Sequence, residues 1–267
     1  MASRNPRRMH DQRSLPNHAP HLRVVRAPRP EIQLLPPASP ARLHRADVWK
    51  LPFASTLGAS VAQDGPAALL KRGSDISLAA TVLVLSAPLL IAVALVLLVV
   101  ERQSPFFRDL RVGRDGAQFE CWKFRTMRGD WTVLARYLER HPDEAERYAT
   151  QRKLRNDPRV TRTGRYLRIS SIDELPQLLN VLRGEMSLVG PRPLSLREFE
   201  QRGWRRWQIV STRPGLTGLW QVSGRGTTSV RTRAAMDVLY ARNCSVGLDL
   251  VIVMRTPLQI VKRVGAW

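Results

Sequence analysis

The chain has 267 residues, with 43 Lys or Arg against 22 Asp or Glu and a net charge of +21. That length allows one large domain or two small ones with a full core, and that charge implies an anionic partner: nucleic acid, lipid headgroups or phosphate-bearing substrates. The two cysteines, Cys121 and Cys244, stand apart with no CxxC and no His cluster nearby, which argues against a disulfide framework and a zinc site and points to a reducing compartment.

Residues 1–66 are rich in Pro and Arg and poor in aromatics, and are predicted to be a disordered tail. No apolar run follows the first basic residues, so the tail does not have the form of a signal peptide. Its cations suit anionic headgroups, at about 1 kcal/mol each near a membrane surface; an inert or partner-binding extension fits equally well.

From Ile76 to Val100 there are 25 residues without a charge, where about 20 suffice for a membrane helix. Lys71 and Arg72 precede the segment, and Arg102, Arg108, Arg111 and Arg114 follow it. Both ends are therefore drawn to the cytoplasmic side. Pro88 falls in the middle, where it removes a backbone hydrogen bond, and Ser86 stands ready to bond freed carbonyls. The prediction over 67–102 is a membrane-embedded re-entrant helix hairpin, broken at Ser86–Pro88, in preference to a spanning helix.

Residues 103–267 are predicted to form an α-rich cytoplasmic catalytic domain, mainly α with a few short strands, carrying interfacial helices. FECWKFRTM (119–127) reads as a short strand leading to a turn, and 130–155 as helical with a break near His141-Pro142. Leu175, Leu178, Leu179 and Leu182 recur at helical spacing, so 172–183 is predicted as one helix. Helices are also expected over 196–210 and 229–242. The apolar stretch 248–261 holds Arg255 and is broken by Pro257; it is too short to span and suits interfacial packing.

Between Arg159 and Arg183 the only acidic residues are the adjacent Asp173 and Glu174. Ser171-x-x-Glu174 has the form of a capping box, which alone would account for them. The neighbours favour chemistry instead. Arg168 lies just upstream, Arg192 sits in the rigid VGPRPL turn beside Pro191, and Lys123 and Arg125 stand in KFRT. Carboxylates among so many cations are expected to stay ionised. One could attack phosphorus while the other holds a divalent ion. Trp220 and Arg225 fit either nucleotide contacts or a core ring and a surface cation. No GxGxxG or P-loop pattern is present, and four of the five histidines lie in the tail, so a histidine base is not expected.

The motifs KFRTM (123–127), NDPRVTRTGRYLR (156–168), DELPQLLNVLRGEMSLVGPRPL (173–194), RPGLTGLWQVSGR (213–225) and the closing VGAW resemble the bacterial sugar transferase family. These are monotopic phosphoglycosyl transferases of the bacterial inner membrane, and the likeness runs from about residue 68 to 267. It implies a short-form enzyme that moves a sugar 1-phosphate from a UDP-sugar to undecaprenyl phosphate, releasing UMP and starting an exopolysaccharide or other surface glycan. It further implies Asp173 as nucleophile, Glu174 as ligand of Mg²⁺ with Asp173, and Lys123, Arg125, Arg168, Pro191, Arg192 and Asp249 as phosphate or substrate contacts. In one departure, Ala87 stands directly before Pro88, where relatives often carry Ser. UDP-glucose and UDP-galactose rank ahead of N-acetylated donors. Membrane lipids are expected partners, and a homo-oligomer is compatible with all of this.

Two other functions compete. A nucleic-acid-binding protein would fit the charge, but the segment Ile76–Val100 and the scarcity of aromatics among the arginines argue against it. A catalytically idle membrane scaffold of the same fold is opposed by the intact Asp173-Glu174 pair and the GPRP turn.

Overall fold

The computed structural model describes residues 65–151, 154, 156–224 and 229–261, all within one unit, Leu43–Trp267. The predicted tail up to residue 64, Arg225 and the closing VGAW lie outside the described residues. Helix α1 spans Pro66–Val99, with Pro66 in its first turn and Pro88 inside it. Asp75, Ala79, Val82, Leu83, Leu90, Val93, Ala94 and Leu97 are buried or half-buried, three or four residues apart, which is the spacing of one helix face. Ala79, Val82 and Leu83 join the main core. Leu90, Val93, Ala94 and Leu97 pack with Phe124, Leu167 and Ile172. Both halves of the helix thus touch the same domain.

The opposite face of α1 is apolar and uncovered: Val84 and Leu85 are 71% and 77% exposed. Only 6% of its most apolar 18-residue window is buried, which excludes the mostly buried core helix of a soluble protein. Pro88 is on this exposed face. A proline there opens the helix on its own side and bends the axis toward the opposite face, the one that meets the domain. The Ser86 hydroxyl donates to the Leu83 carbonyl at 3.3 Å. The helix runs through Ser86–Pro88 without the predicted break, and this bond does not reach the Val84 carbonyl left free by Pro88.

Polar groups fix the start of α1. Arg72 donates to the carbonyls of Val181 (2.7 Å) and Leu182 (3.0 Å). Asp75, 5% exposed, accepts from the Ser187 hydroxyl at 2.7 Å and the Leu188 N–H at 3.1 Å. Lys71 pairs with Asp249 and donates to the Val189 carbonyl at 3.3 Å. The Tyr240 hydroxyl lies 2.6 Å from Asp249 Oδ1 and 2.9 Å from the same Val189 carbonyl. Asp249, expected at the substrate, thus anchors α1. Asp249→Ala leaves Lys71 without its carboxylate partner, and the expected loss is about 3 kcal/mol or more. It should appear as a lower Tm, with activity lost in proportion to folded protein. Activity lost at an unchanged Tm would place Asp249 in the catalytic machinery instead.

Strands β1 (Phe106–Val112) and β2 (Gln118–Phe124) form an antiparallel hairpin that pairs Asp109 with Cys121. Helices α2 (Trp131–Arg140) and α3 (Pro142–Gln151) follow, parted at His141-Pro142 as expected, and close a small core of Leu134, Tyr148 and Leu154. Asp130 caps α2 by accepting from the N–H groups of Thr132 and Val133. Helix α4 (Arg162–Ser170) comes next. The predicted single helix over 172–183 is instead a 3₁₀ stretch, Ile172–Gln177, followed by α5, Leu178–Arg183.

Strand β3 (Ser187–Val189) pairs in parallel with β4 (Gly215–Thr217). Between them lie α6 (Leu196–Gln201) and α7 (Arg205–Val210), parted at Gly203. Helices α8 (Leu219–Gly224), α9 (Val230–Asn243) and α10 (Val246–Val261) complete the domain. The main core gathers Phe119 and Cys121 of β2, Leu178 and Val181 of α5, Leu219 and Trp220 of α8, Tyr240 of α9, and Leu248 and Ile252 of α10. Pro257 does not break α10 as predicted. The buried Leu248 and Ile252 hold that helix to the core, and packing outweighs the one hydrogen bond that the proline removes. Its outer face, with Leu250 62% and Met254 70% exposed, stays apolar and uncovered.

Candidate active site

Three pieces of chain meet at the carboxylate pair. The first is the end of β2, which carries Lys123. The second is the 3₁₀ stretch, which carries Asp173 and Glu174. The third is the turn after β3, Gly190-Pro191-Arg192-Pro193. Ser171 ends α4 in the left-handed conformation, with φ 58°, and turns the chain into the 3₁₀ stretch. A non-glycine residue there is uncommon. It also explains why the expected capping box fails. The Ser171 side chain makes no cap bond, and the Glu174 N–H instead bonds the Ser171 carbonyl at 3.2 Å. A capping box does form elsewhere, between Ser195 and Glu198 at the start of α6. Glu174 is therefore released to face the cations.

Lys123 Nζ lies 3.4 Å from Glu174 Oε1, and an Arg192 guanidinium nitrogen lies 3.7 Å from the same oxygen. Lys123 and Glu174 have side chains only 18% and 16% exposed, so solvent screens them little. Arg168 is held by a 2.9 Å bond from its Nε to Thr126 Oγ1. That contact depends on close packing of α4: a Cβ on Gly164 would come within 2.1 Å of the Thr126 carbonyl oxygen.

The backbone of the Arg192 turn is equally constrained. Gly215 N–H donates to the Pro191 carbonyl at 2.8 Å. A Cβ on Gly215 would stand 2.0 Å from the Gly190 nitrogen, so only glycine permits this approach. Burial works against the Arg192 charge, but Glu174 and Glu198 more than offset it and hold its pKa above the usual arginine value.

The cations around Asp173 leave it mostly ionised at neutral pH but do not hold it at the ordinary aspartate value. Burial, reinforced by the neighbouring Glu174 charge, pushes its carboxyl up to about 6, against the pull of Lys123, Arg168 and Arg192. A carboxylate poorly solvated and poised near neutrality is a stronger nucleophile and base than an exposed one.

A small cleft open to solvent lies beside the pair, lined by Arg111, Cys121, Lys123, Glu174, Gln177 and Arg192. Sequence reasoning gave Arg111 no place in it. Arg111 pairs with Asp109, sits 3.4 Å from Glu198 and donates to the Pro193 carbonyl at 3.3 Å. The Cys121 thiol faces the same space, but burial pushes it up to about 11, so it stays protonated and is no thiolate nucleophile. Arg125 is not brought to the pair. Its guanidinium bonds the carbonyls of Ser104 (3.0 Å) and Phe106 (3.4 Å) and lies over the Phe107 ring. Trp220 resolves as a core residue, 6% exposed, with Arg233 over its ring at 4.8 Å.

Among the described residues no group of three or more His, Cys, Asp or Glu could hold a metal ion alone. Two adjacent carboxylates without a third acidic ligand suit a hard cation shared with substrate phosphates, the usual arrangement for Mg²⁺.

A half-buried carboxylate pair held among ammonium and guanidinium groups, beside a long uncovered apolar helix, is suited to handling phosphates next to an apolar phase. Residues 66–263 match the model of the family described as bacterial sugar transferase. The chain is 45% identical over 190 residues to the exopolysaccharide production protein ExoY of Rhizobium meliloti, covering 70% of this chain and 84% of that one. It is 44% identical over 196 residues to the UDP-glucose:undecaprenyl-phosphate glucose-1-phosphate transferase of Caulobacter vibrioides, covering 70% and 68%. It is 40% identical over 200 residues to the undecaprenyl-phosphate galactose phosphotransferase of Salmonella typhimurium, covering 74% of this chain and 42% of that longer one. The chain belongs to the bacterial sugar transferase family and is a phosphoglycosyl transferase.

Proposed function

We propose that this enzyme transfers a sugar 1-phosphate from a UDP-sugar to undecaprenyl phosphate in two steps, through Asp173. The observation that carries the proposal is the half-buried Asp173, its carboxyl at about 6, beside a Glu174 that meets Lys123 and Arg192. In the first step an Asp173 oxygen attacks the sugar-bearing phosphorus. The bond from that phosphorus to the bridging oxygen breaks, and UMP leaves with the bridging oxygen and its electron pair. An acyl phosphate joining the sugar phosphate to the Asp173 carboxyl remains. In the second step an oxygen of undecaprenyl phosphate attacks the same phosphorus, the bond to Asp173 breaks, and the carboxylate is restored. Lys123, Arg168 and Arg192 hold the phosphate oxygens and offset the charge that develops on them. Glu174, with Asp173, would hold Mg²⁺, which supplies neutralisation of the diphosphate charge.

The acceptor carries its phosphate at the membrane surface, and the fold suits that supply. Helix α1 meets the domain at Ala79 and again at Leu97, while its outer face is apolar and carries Pro88. A helix that enters the cytoplasmic leaflet and returns keeps both contacts, whereas a straight span would carry one end across the membrane. We therefore assign 67–102 as a re-entrant membrane hairpin and 103–267 as a catalytic domain on the cytoplasmic face of the inner membrane. The uncovered face of α10 lies at the interface. The names of the relatives favour UDP-galactose or UDP-glucose as donor.

The test is UMP release by the protein in nanodiscs with undecaprenyl phosphate, Mg²⁺ and a panel of UDP-sugars. Release with a single UDP-hexose is expected; no release with any donor would contradict the proposal. A pH prediction follows from Asp173. Its ionised form is the nucleophile, so kcat/KM should fall tenfold per unit as pH drops below an inflection near 6. An inflection near the ordinary aspartate value would mean that Asp173 is solvated when it reacts.

A further inference from the structure

The 3₁₀ stretch that carries Asp173 and Glu174 ends on a third polar residue, Gln177, which the mechanism does not use. A 3₁₀ helix has three residues per turn, so residues three apart share a face. Gln177 therefore follows Glu174 one turn later on the same face, about 6 Å along the axis. Both residues line the cleft, together with Lys123 and Arg192. Gln177 is only 3% exposed, yet among the described residues its carboxamide has no hydrogen-bond partner. Asn180, also buried and three residues further on, shows the usual arrangement. Its side chain accepts the Trp122 N–H at 3.0 Å and donates to the Glu120 carbonyl at 2.7 Å and to Glu185 at 2.6 Å. A buried amide left unpaired costs stability and calls for an explanation. Packing does not supply one, since an apolar side chain of similar size would fill the same space without that cost.

We infer that Gln177 is a specificity residue: its carboxamide hydrogen-bonds a hydroxyl of the hexose while the sugar phosphate is at Asp173. This rests on the two-step transfer proposed above. The phosphate oxygens accept hydrogen bonds, and Lys123, Arg168 and Arg192 already offer them donors and positive charge. A sugar hydroxyl both donates and accepts, and the neutral carboxamide, with one acceptor oxygen and an NH₂ group, is its match. The separation of one 3₁₀ turn from Glu174 is short enough for a hexose joined to the phosphorus to bridge.

The experiment measures kcat/KM for UMP release in nanodiscs with undecaprenyl phosphate and Mg²⁺. The donors are the preferred UDP-hexose and the analogues that each lack one hexose hydroxyl. The parent should reject one analogue by about tenfold to hundredfold, because the missing hydroxyl leaves the Gln177 carboxamide unpaired. Gln177→Leu and Gln177→Ala should each bring the ratio between the hexose and that analogue down to about one, since neither offers the hydroxyl a partner. The ratio is read within one preparation, so it does not depend on how much of the protein is folded. The Tm of Gln177→Leu should be unchanged or higher, because an unpaired buried amide has been removed. A parent indifferent to every analogue, or parent-like ratios in both variants, would overturn the role of Gln177 and leave the two-step route standing. A parent that releases no UMP with any UDP-hexose would overturn that route first, and the role of Gln177 with it.

Discussion

Asp173→Asn is expected to abolish UMP release, by about 10⁴-fold or more, because an amide cannot form the acyl phosphate on which the two-step route depends. The same substitution should leave the protein at least as stable. The sign follows from the direction of the shift. An aspartate whose folded pKa is raised from 3.8 to about 6 destabilises the fold when ionised. That penalty is absent below about pH 4 and fully present above about pH 6. Asparagine removes it, so at pH 7.5 the Tm should be unchanged or higher, by up to about 2 kcal/mol in stability. A nucleophile held at the expense of stability is a common feature of active sites. Inactivity accompanied by a large fall in Tm would instead mean that Asp173 is part of the structure.

Glu174→Gln is the second large effect. Glu174 lies 3.4 Å from Lys123 and 3.7 Å from Arg192, so its charge both orders the cations and repels the Asp173 carboxylate. Removing it should lower turnover by about 10²-fold to 10³-fold, on the scale of losing one oriented charged group. Two further signatures separate this from simple damage. The acid inflection should move below 6, because the Glu174 charge is one of the two causes that raise Asp173. The Mg²⁺ concentration for half-maximal rate should rise, since one of two carboxylate ligands is gone. A variant that loses rate with both quantities unchanged would leave Glu174 without a metal or electrostatic role.

Much of this was legible from residue order. The uncharged run Ile76–Val100 announced the apolar length of α1. The break at His141-Pro142 fell where the proline required. Asp173 and Glu174 stood out because they are the only acids in a long basic stretch, and Lys123, Arg168 and Arg192 do surround them. What failed had local causes. Two Ser-x-x-Glu strings occur within 28 residues of each other, Ser171–Glu174 and Ser195–Glu198, and spacing cannot say which serine adopts extended backbone and which the left-handed conformation. Pro257 failed to end α10 because buried contacts outweigh one missing bond. Arg125 shares a motif with Lys123, yet two residues along the chain its guanidinium is bound to the carbonyls of Ser104 and Phe106. Arg111 and the anchoring role of Asp249 depend on pairings across 82 and 178 positions. A single charged residue in a strand or helix looks like solvated surface until the fold brings its partner.

The covalent intermediate on Asp173 is the central claim, and it can be trapped without the acceptor. Protein in nanodiscs free of undecaprenyl phosphate would receive Mg²⁺ and a UDP-hexose labelled in the sugar-bearing phosphate. Released UMP and protein-bound label would be counted together, with Asp173→Asn alongside. The expected result is one burst of UMP matched by one label per active site, lost on adding undecaprenyl phosphate and absent from the variant. UMP release that needs the acceptor, with no label on the protein at any time, would contradict the two-step account and replace it with direct transfer between the two substrates.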